Sequence, residues 1–162
     1  MSTLSQARLK ISLQAVETLA NPAADGVNVN LDELDQGTRT LNSSSTPAAT
    51  KHHAETITIA GTQTVDLTSL SDVEGTAIDG TGLKVQAVRM IADADNAAAI
   101  TVAPGASNPY PLFGTSNEVD LAAGAEICHY SPEGLPDVAA AVKEIDISGT
   151  NDDILYIQLI LG

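Results

Sequence analysis

The sequence has few aromatic residues and few positive charges, and each shortage excludes a class of function. Its 162 residues include one Phe, three Tyr and no Trp, whereas sugar-binding clefts and base-stacking platforms depend on aromatic side chains. Seven basic residues against 21 acidic ones give a net charge of −14, and the basic residues do not cluster as phosphate contacts require. We therefore expect neither nucleic acid nor an anionic membrane as a partner.

Cysteine and long apolar segments are scarce as well. The single Cys128 excludes an intramolecular disulfide, and its strand-like surroundings predict a small buried side chain. The beginning, MSTLSQARLKISL, has no apolar signal-peptide region, and the longest apolar run is far shorter than the roughly 20 residues of a membrane span. These features predict a protein that is made in the cytoplasm and carries no membrane segment.

Apolar and polar residues alternate along most of the chain, which is typical of half-buried β-strands. Leu9, Ile11 and Leu13 share one face of the first such segment, with a helix over 4–19 as the second choice. Roughly nine or ten segments of this kind occur at about ten-residue spacing, separated by Gly, Pro, Asn and Asp. The pattern predicts an all-β fold, an antiparallel β-sandwich or a jelly roll or other barrel.

A single domain accounts for the length of the chain. We divide 1–162 into N-terminal strands with a polar arm, over 1–54, and a main sandwich, over 55–162. The segment 36–53, QGTRTLNSSSTPAATKHH, is polar and aperiodic apart from TRTL, which predicts a long loop or arm with one short strand.

The predicted role of this arm is to lie over a neighbouring subunit. Its hydroxyl-bearing and basic side chains suit contacts with another protein surface. We take Thr38, Arg39 and Lys51 as the candidate contact residues of the arm.

The last predicted strand, ILYIQLIL, is apolar on both faces. One face carries only aliphatic residues, which we assign to the core: Leu155, Ile157, Leu159 and Leu161. The opposite face carries Tyr156 and Gln158, whose polar groups suit a half-wet contact between subunits, most simply around a three-fold axis. The alternative is that another part of the same chain covers this second face.

Two local predictions concern the middle of the chain. In LKVQAVRMIADA we expect Val85 and Ala87 to face inward and Gln86 outward, with a bulge or switch before Met90. EVDLAAGAEICHYS predicts a hairpin that turns at Ala123–Gly124.

The histidines and the cysteine do not form a recognisable reactive site in the sequence. His52 and His53 are adjacent, so in a strand their rings point in opposite directions and cannot hold one metal ion together. The same geometry separates Cys128 from His129 as a thiol and its base. We predict that the histidine pair is solvated in a loop, and that the chain has no catalytic, metal or cofactor-binding residues.

Two acidic segments favour turns over ion binding. DADN over 93–96 and NDD over 151–153 have the composition of Asx turns, and a calcium site is the weaker alternative because the glycine and the distal glutamate of a calcium loop are missing. Phosphate-binding glycine loops and serine nucleophile elbows are absent from the sequence.

Four stretches follow one another from about Glu55 onward: TQTVDLTSLSDVEGTAI, LKVQAVRMIADADNAAAITVAPGASNPYPLFG, VDLAAGAEICHYSPEG and VKEIDISGTNDDILYIQLILG. Their order of strands and turns resembles small structural proteins of tailed bacteriophages, over roughly two thirds of the chain. The matching positions are Asp66, Leu67, Leu70, Asp72, Gly75, Asn96, Thr101, Val102, Asn108, Pro109, Gly124, Ile145, Ile147 and Gly162.

The resemblance implies a non-enzymatic virion protein of the capsid decoration, or cement, type. Such a protein binds the outer capsid surface as a homotrimer and contacts the major capsid protein, after synthesis in the bacterial cytoplasm. Tyr110 and Phe113, in the loop after Asn108-Pro109, would be further contacts, and Tyr156 and Gln158 would form the trimer contact. Two alternatives stay open: a tail, fibre or minor head protein, and a carbohydrate-binding β-sandwich.

Overall fold

The computed structural model describes residues 4, 6–10, 15–18, 28–31, 38–72 and 74–162. These ranges form strands and turns, and they contain no helix that is long and apolar enough to cross a membrane. The prediction of an all-β fold is confirmed, and the helix over 4–19 is not formed by the described residues of that segment. The described strands number fourteen rather than nine or ten: β1 Ala7–Lys10, β2 Ala15–Thr18, β3 Asn28–Leu31, β4 Thr38–Leu41, β5 Lys51–Thr58, β6 Gln63–Asp66, β7 Leu70–Ser71, β8 Ala77–Ile78, β9 Val85–Ala92, β10 Ile100–Pro104, β11 Val119–Leu121, β12 Glu126–Tyr130, β13 Glu144–Ser148 and β14 Ile154–Leu161.

Two four-stranded antiparallel sheets form the body of the protein. The front sheet has the order β12-β9-β14-β5 and the back sheet the order β11-β10-β13-β6. The pairings are nested in chain order, because β5 pairs with β14, β6 with β13, β9 with β12 and β10 with β11. Three two-stranded sheets accompany them, and the one formed by β1 and β4 is called the N-terminal ribbon below.

The core lies between the two sheets. Ile57 and Met90 of the front sheet and Val65 and Ile147 of the back sheet belong to one continuous cluster of buried side chains. Alternation places these residues on inward faces, and removal of their apolar surface from water is the main stabilising contribution to such a fold. The predicted antiparallel sandwich is confirmed.

Strand β14 occupies a central position in the front sheet. It is hydrogen-bonded to β5 on one side and to β9 on the other, and the four core residues assigned from the sequence, Leu155, Ile157, Leu159 and Leu161, are at most 1% exposed. On the opposite face, Tyr156 is 38% exposed and Gln158 is exposed as well. The two-faced assignment of this strand is therefore confirmed.

The segment between β11 and β12 is not a hairpin. Strand β11 pairs with β10 in the back sheet, whereas β12 pairs with β9 in the front sheet. A tight turn does occur, because Ala125 N–H donates to the carbonyl of Ala122 at 2.8 Å and Gly124 has a φ of 75°. The turn carries the chain from the back sheet to the front sheet. A turn glycine between two strands is compatible with both a hairpin and such a crossover, so the sequence does not distinguish them.

The predicted irregularity in β9 lies earlier than expected. Ile160 pairs with Ala87 but Leu161 pairs with Val85, so the register shift leaves Gln86 without a partner on β14. Ala87 consequently packs on the outer face of the front sheet, and Gln86 is fully buried. The expectations for these two side chains are wrong, because one unpaired residue inverts the facing of its neighbour.

The predicted arm is packed against its own chain over its described part. Thr38–Leu41 forms β4, which confirms the short strand in TRTL, and Lys51–Thr58 forms β5, which spans the boundary that we drew at 54/55. Between them, the Asn42 carbonyl accepts hydrogen bonds from Ser45 N–H and Ala49 N–H at 3.1 and 2.9 Å. Residues 36 and 37 lie outside the described residues.

This connecting turn is attached to the end of β14. Gln86 Nε2 donates to the Ala48 carbonyl at 3.1 Å, Thr50 N–H donates to the Leu161 carbonyl at 2.9 Å, and Ala49 is fully buried. A Cβ at Gly162 would lie 1.7 Å from the Ala48 oxygen, so only glycine fits this contact. The turn is therefore part of the folded body.

The two faces of β14 predict opposite responses to an added charge. Ile157→Asp should abolish folding, because it places an unpaired carboxylate in the core at a cost of several kcal/mol. Gln158→Asp, one residue further on and exposed, should change the free energy of unfolding by about 1 kcal/mol or less. Urea denaturation followed by circular dichroism measures both, and a folded, cooperative Ile157→Asp variant would show that this face is not core.

Candidate functional site

The outer face of the front sheet carries the exposed groups that could bind a partner. The cross-strand register arranges its side chains in rows. The first row consists of Tyr130, Ala87, Ile160 and His52. The second consists of Cys128, Arg89, Gln158 and Ala54, and the third of Glu126, Ile91, Tyr156 and Thr56.

The N-terminal ribbon and its turn cover one end of this face. Leu41, Ala49 and Ala87 form a small buried cluster, against which Ala7 and Ile160 pack. Coverage by the same chain, the alternative weighed for the second face of the last strand, is thus realised at this end. The other end stays open, and it carries Tyr156.

A cleft of about 240 Å³ lies between the ribbon and the front sheet. Its apolar lining includes Leu41 and Ile160, and its polar lining is formed by Gln6, Arg8, His52, Arg89 and Gln158. The cleft therefore combines an apolar floor with groups that can donate hydrogen bonds.

The two arginines at the cleft differ, because Arg89 forms an ion pair and Arg8 forms none with the described residues. Arg89 donates to Glu126 through Nε at 2.6 Å and through a terminal nitrogen at 3.2 Å; this bond raises the pKa of Arg89 and lowers that of Glu126. Arg8 is exposed and has no ion-pair partner among the described residues. Burial, and then the nearby His53, lower the pKa of His52, which keeps this ring neutral at neutral pH.

The cations without an ion-pair partner among the described residues lie on the N-terminal ribbon and at the start of β5. In the body of the protein Lys84 pairs with Asp137, Arg89 with Glu126 and Lys143 with Asp66. The described ion pairs include none formed by the remaining cations with described side chains, Arg8, Arg39 and Lys51. Two of these, Arg39 and Lys51, are contact residues proposed from the sequence, whereas the side chain of Thr38 lies outside the described residues.

Tyr110 is a core residue, so its assignment as a contact is wrong. It is fully buried, its hydroxyl accepts a hydrogen bond from Val85 N–H at 3.1 Å, and it donates to the Pro136 carbonyl at 3.0 Å. Burial raises the pKa of Tyr110 to about 12. The loop around Asn108-Pro109 turns this ring inward, which proline and aromatic content alone did not reveal.

Phe113 is partly buried against the core. Its ring meets His129 edge to face, with centroids 5.7 Å apart and planes at 72°. His129 therefore has an aromatic neighbour, on the side of β12 opposite to Cys128.

The cysteine is half-buried rather than buried. Its Sγ lies 3.7 Å from Glu126 Oε1, and burial, followed by the charge of Glu126, raises the pKa of Cys128. A thiol in this setting is protonated at neutral pH and is a poor nucleophile.

The histidine pair does not lie in a solvated loop. Both residues belong to β5, and their rings point to opposite sides as predicted. His52 lines the cleft, while His53 is 2% exposed with Nδ1 2.8 Å from the Ser71 carbonyl and Nε2 3.3 Å from Glu55. Within the described part of the chain, three or more His, Cys, Asp or Glu side chains do not converge as metal ligands.

The acidic segments form turns, as predicted. Asp93 Oδ1 accepts a hydrogen bond from Asp95 N–H, and its Oδ2 accepts one from the Tyr156 hydroxyl, both at 2.9 Å. These two bonds lower the pKa of Asp93. The Asn96 side chain donates to and accepts from the backbone of Ile154, so the turn holds the start of β14.

No protein-family model, curated protein or solved structure matches this chain. A fold alone does not define a function. The surfaces described above therefore carry the functional argument.

The contrasting environments of two tyrosines predict different costs for loss of a hydroxyl. Tyr110→Phe should lower the free energy of unfolding by about 1–2 kcal/mol, because Val85 N–H and the Pro136 carbonyl lose a buried partner. Tyr156→Phe, the exposed control, should change it by about 0.5 kcal/mol or less. Urea midpoints of the two variants test this, and equal midpoints would contradict the buried role of Tyr110.

Proposed function

We propose that this chain is a non-enzymatic virion structural protein that decorates the outer surface of a capsid. In this proposal it assembles as a homotrimer, contacts the major capsid protein and stabilises the shell. The observation that carries the proposal is a double sheet whose outer face is covered by its own chain at one end only, with the exposed Arg8 and Arg39 on the ribbon beside it. The choice of a capsid as the assembly rests on the resemblance to phage structural proteins.

The nested strand order supports a structural role of this kind. Eight strands that pair first with last, second with second-last, and so on inward have the connectivity that we assign to a jelly roll. This architecture recurs in viral capsid and lectin domains. It keeps the surface groups on a firm support, which suits a protein that binds by shape and charge.

Two parts of the surface have the properties of contact sites. The open end of the outer face presents Tyr156 and the partly buried Ile91, and Gln158 lies between this end and the cleft that it also lines. We assign Tyr156 and Gln158 to the contact between subunits. Arg39 on the ribbon and Lys51 at the start of β5 are assigned to the contact with the capsid. Aromatic groups and arginine are enriched in the cores of protein interfaces.

The stabilising mechanism is physical and needs no reaction. A protein that binds only the assembled shell stabilises it by mass action. Three linked subunits, each making a modest contact, raise the apparent affinity because the second and third contacts are intramolecular. Cys128 does not suggest an alternative chemistry, since its thiol is protonated and His129 faces the other way.

The location of the protein in virus particles tests the proposal. In purified particles of the virus that encodes this chain, we expect many copies distributed over the head shell. Quantitative mass spectrometry gives the copy number, and electron microscopy with a labelled antibody gives the position. Label confined to the tail, or only a few copies per particle, would contradict the decoration role and favour a tail, fibre or minor head protein.

A charge reversal on the ribbon tests the capsid contact. Arg39→Glu should weaken binding to undecorated capsids by roughly 5-fold, about 1 kcal/mol, and most strongly at low salt. Ala141→Glu, which adds negative charge at another exposed site, is the control and should bind like the wild type. Sedimentation of capsids with bound protein measures both variants, and equal occupancy by all three proteins would remove the ribbon from the contact.

A further inference from the structure

We propose that the cleft between the N-terminal ribbon and the front sheet binds a short segment of a partner polypeptide in which a carboxylate stands beside an apolar side chain. The inference deepens the proposed function, on which it rests, by naming what the partner presents. It depends on the size of the cleft, its apolar floor and the charges at its rim.

The size of the cleft limits its occupant. A volume of about 240 Å³ is below the roughly 300–1,000 Å³ of sites that enclose drug-sized molecules or cofactors. It can accept one or two side chains from an extended segment. Leu41, Ala87 and Ile160 give the cleft an apolar floor, so an occupant with an apolar side chain removes further surface from water.

The charge of the cleft selects an anionic group. Arg8 and Arg89 line it, against the single carboxylate of Glu126 that Arg89 holds. The two bonds to Glu126 use only part of the five N–H donors of a guanidinium, so Arg89 retains donors, and Arg8 has no ion-pair partner within the described part of the chain. In a chain with a net charge of −14, this local surplus of positive charge attracts a carboxylate.

The apolar floor and the arginines together distinguish between the candidate occupants. A free carboxylate would satisfy the arginines but leave the apolar floor in water. A second copy has its place in the proposed trimer at the open end of the outer face, around Tyr156, which does not line the cleft. An acidic and apolar segment of a different polypeptide satisfies both the arginines and the apolar floor.

The chain offers a matched pair of variants for the test. Arg8 and Ala141 are both exposed, but only Arg8 lines the cleft. Arg8→Gln and Ala141→Glu therefore each make the net charge one unit more negative, inside and outside the proposed site, and Arg8→Glu doubles the change inside it. Circular dichroism of Arg8→Gln, which removes charge without reversing it, verifies that the ribbon tolerates substitution at this position.

The experiment titrates the full-length, ¹⁵N-labelled protein with capped peptides SLDLS, SLNLS and SLKLS, and with sodium acetate, and follows the amide signals by NMR. We expect SLDLS to shift the signals of Arg8, Ala87 and Arg89 and to bind roughly 10-fold more tightly than SLNLS or SLKLS, about 1.4 kcal/mol. Arg8→Glu should reduce this affinity roughly 10-fold, and Ala141→Glu should leave it unchanged.

Several results would overturn the inference. These are the absence of saturable SLDLS binding, equal binding of the three peptides, equal losses in the two glutamate variants, or shifts that acetate alone reproduces, which would indicate a bare anion site. Loss of self-association in Arg8→Glu, seen by sedimentation, would assign the cleft to a second copy instead. Particle location is measured separately, so failure of the peptide test leaves the decoration role standing, and a tail location leaves the peptide result intact.

Discussion

The central position of β14 is the constraint on which the rest of the structure depends. This strand is hydrogen-bonded along both edges, to β5 and to β9, and its inner face supplies four fully or almost fully buried aliphatic side chains. Its N-terminal end is held by Asn96 and its C-terminal end by Thr50 and Lys84. Because the ribbon, the cleft and the open end all lie on the outer face of the same sheet, β14 also sets the position of each proposed binding surface.

The distribution of charge follows from the same layout. Three cations in the body of the protein are neutralised by neighbouring carboxylates, whereas those of the ribbon are left without an ion pair among the described residues. Exposed ion pairs contribute little to stability, so the unpaired cations are of little consequence for folding. In the proposed function these charges act on the approach of the partner, since exposed charge steers partners of opposite sign.

Local alternation predicted the elements that depend on local information. The strand character, the two faces of β14 and the turn chemistry at 93–96 follow from side-chain periodicity and short-range hydrogen bonds. The predictions that were wrong concern features that depend on distant parts of the chain. The sheet to which β12 belongs is decided by pairing with β9, and the burial of Tyr110 is decided by partners at Val85 and Pro136. The cleft was not predicted, because its walls come from segments far apart in sequence, although the unpaired Arg39 and Lys51 were singled out.

The register shift at Gln86, between β9 and β14, has a consequence beyond the burial of this side chain. The register shift places Ala87, whose side chain is small enough to lie under the ribbon, on the outer face of the sheet. The Gln86 side chain itself donates a hydrogen bond to the Ala48 carbonyl. One extra residue in β9 thus provides both the surface on which the ribbon packs and a hydrogen bond to the turn that follows the ribbon. Without that residue the register would turn Ala87 to the inner face and the contact to Ala48 would be lost, so the position of the ribbon over the sheet, and with it the proposed contact surface, depends on a single residue of β9.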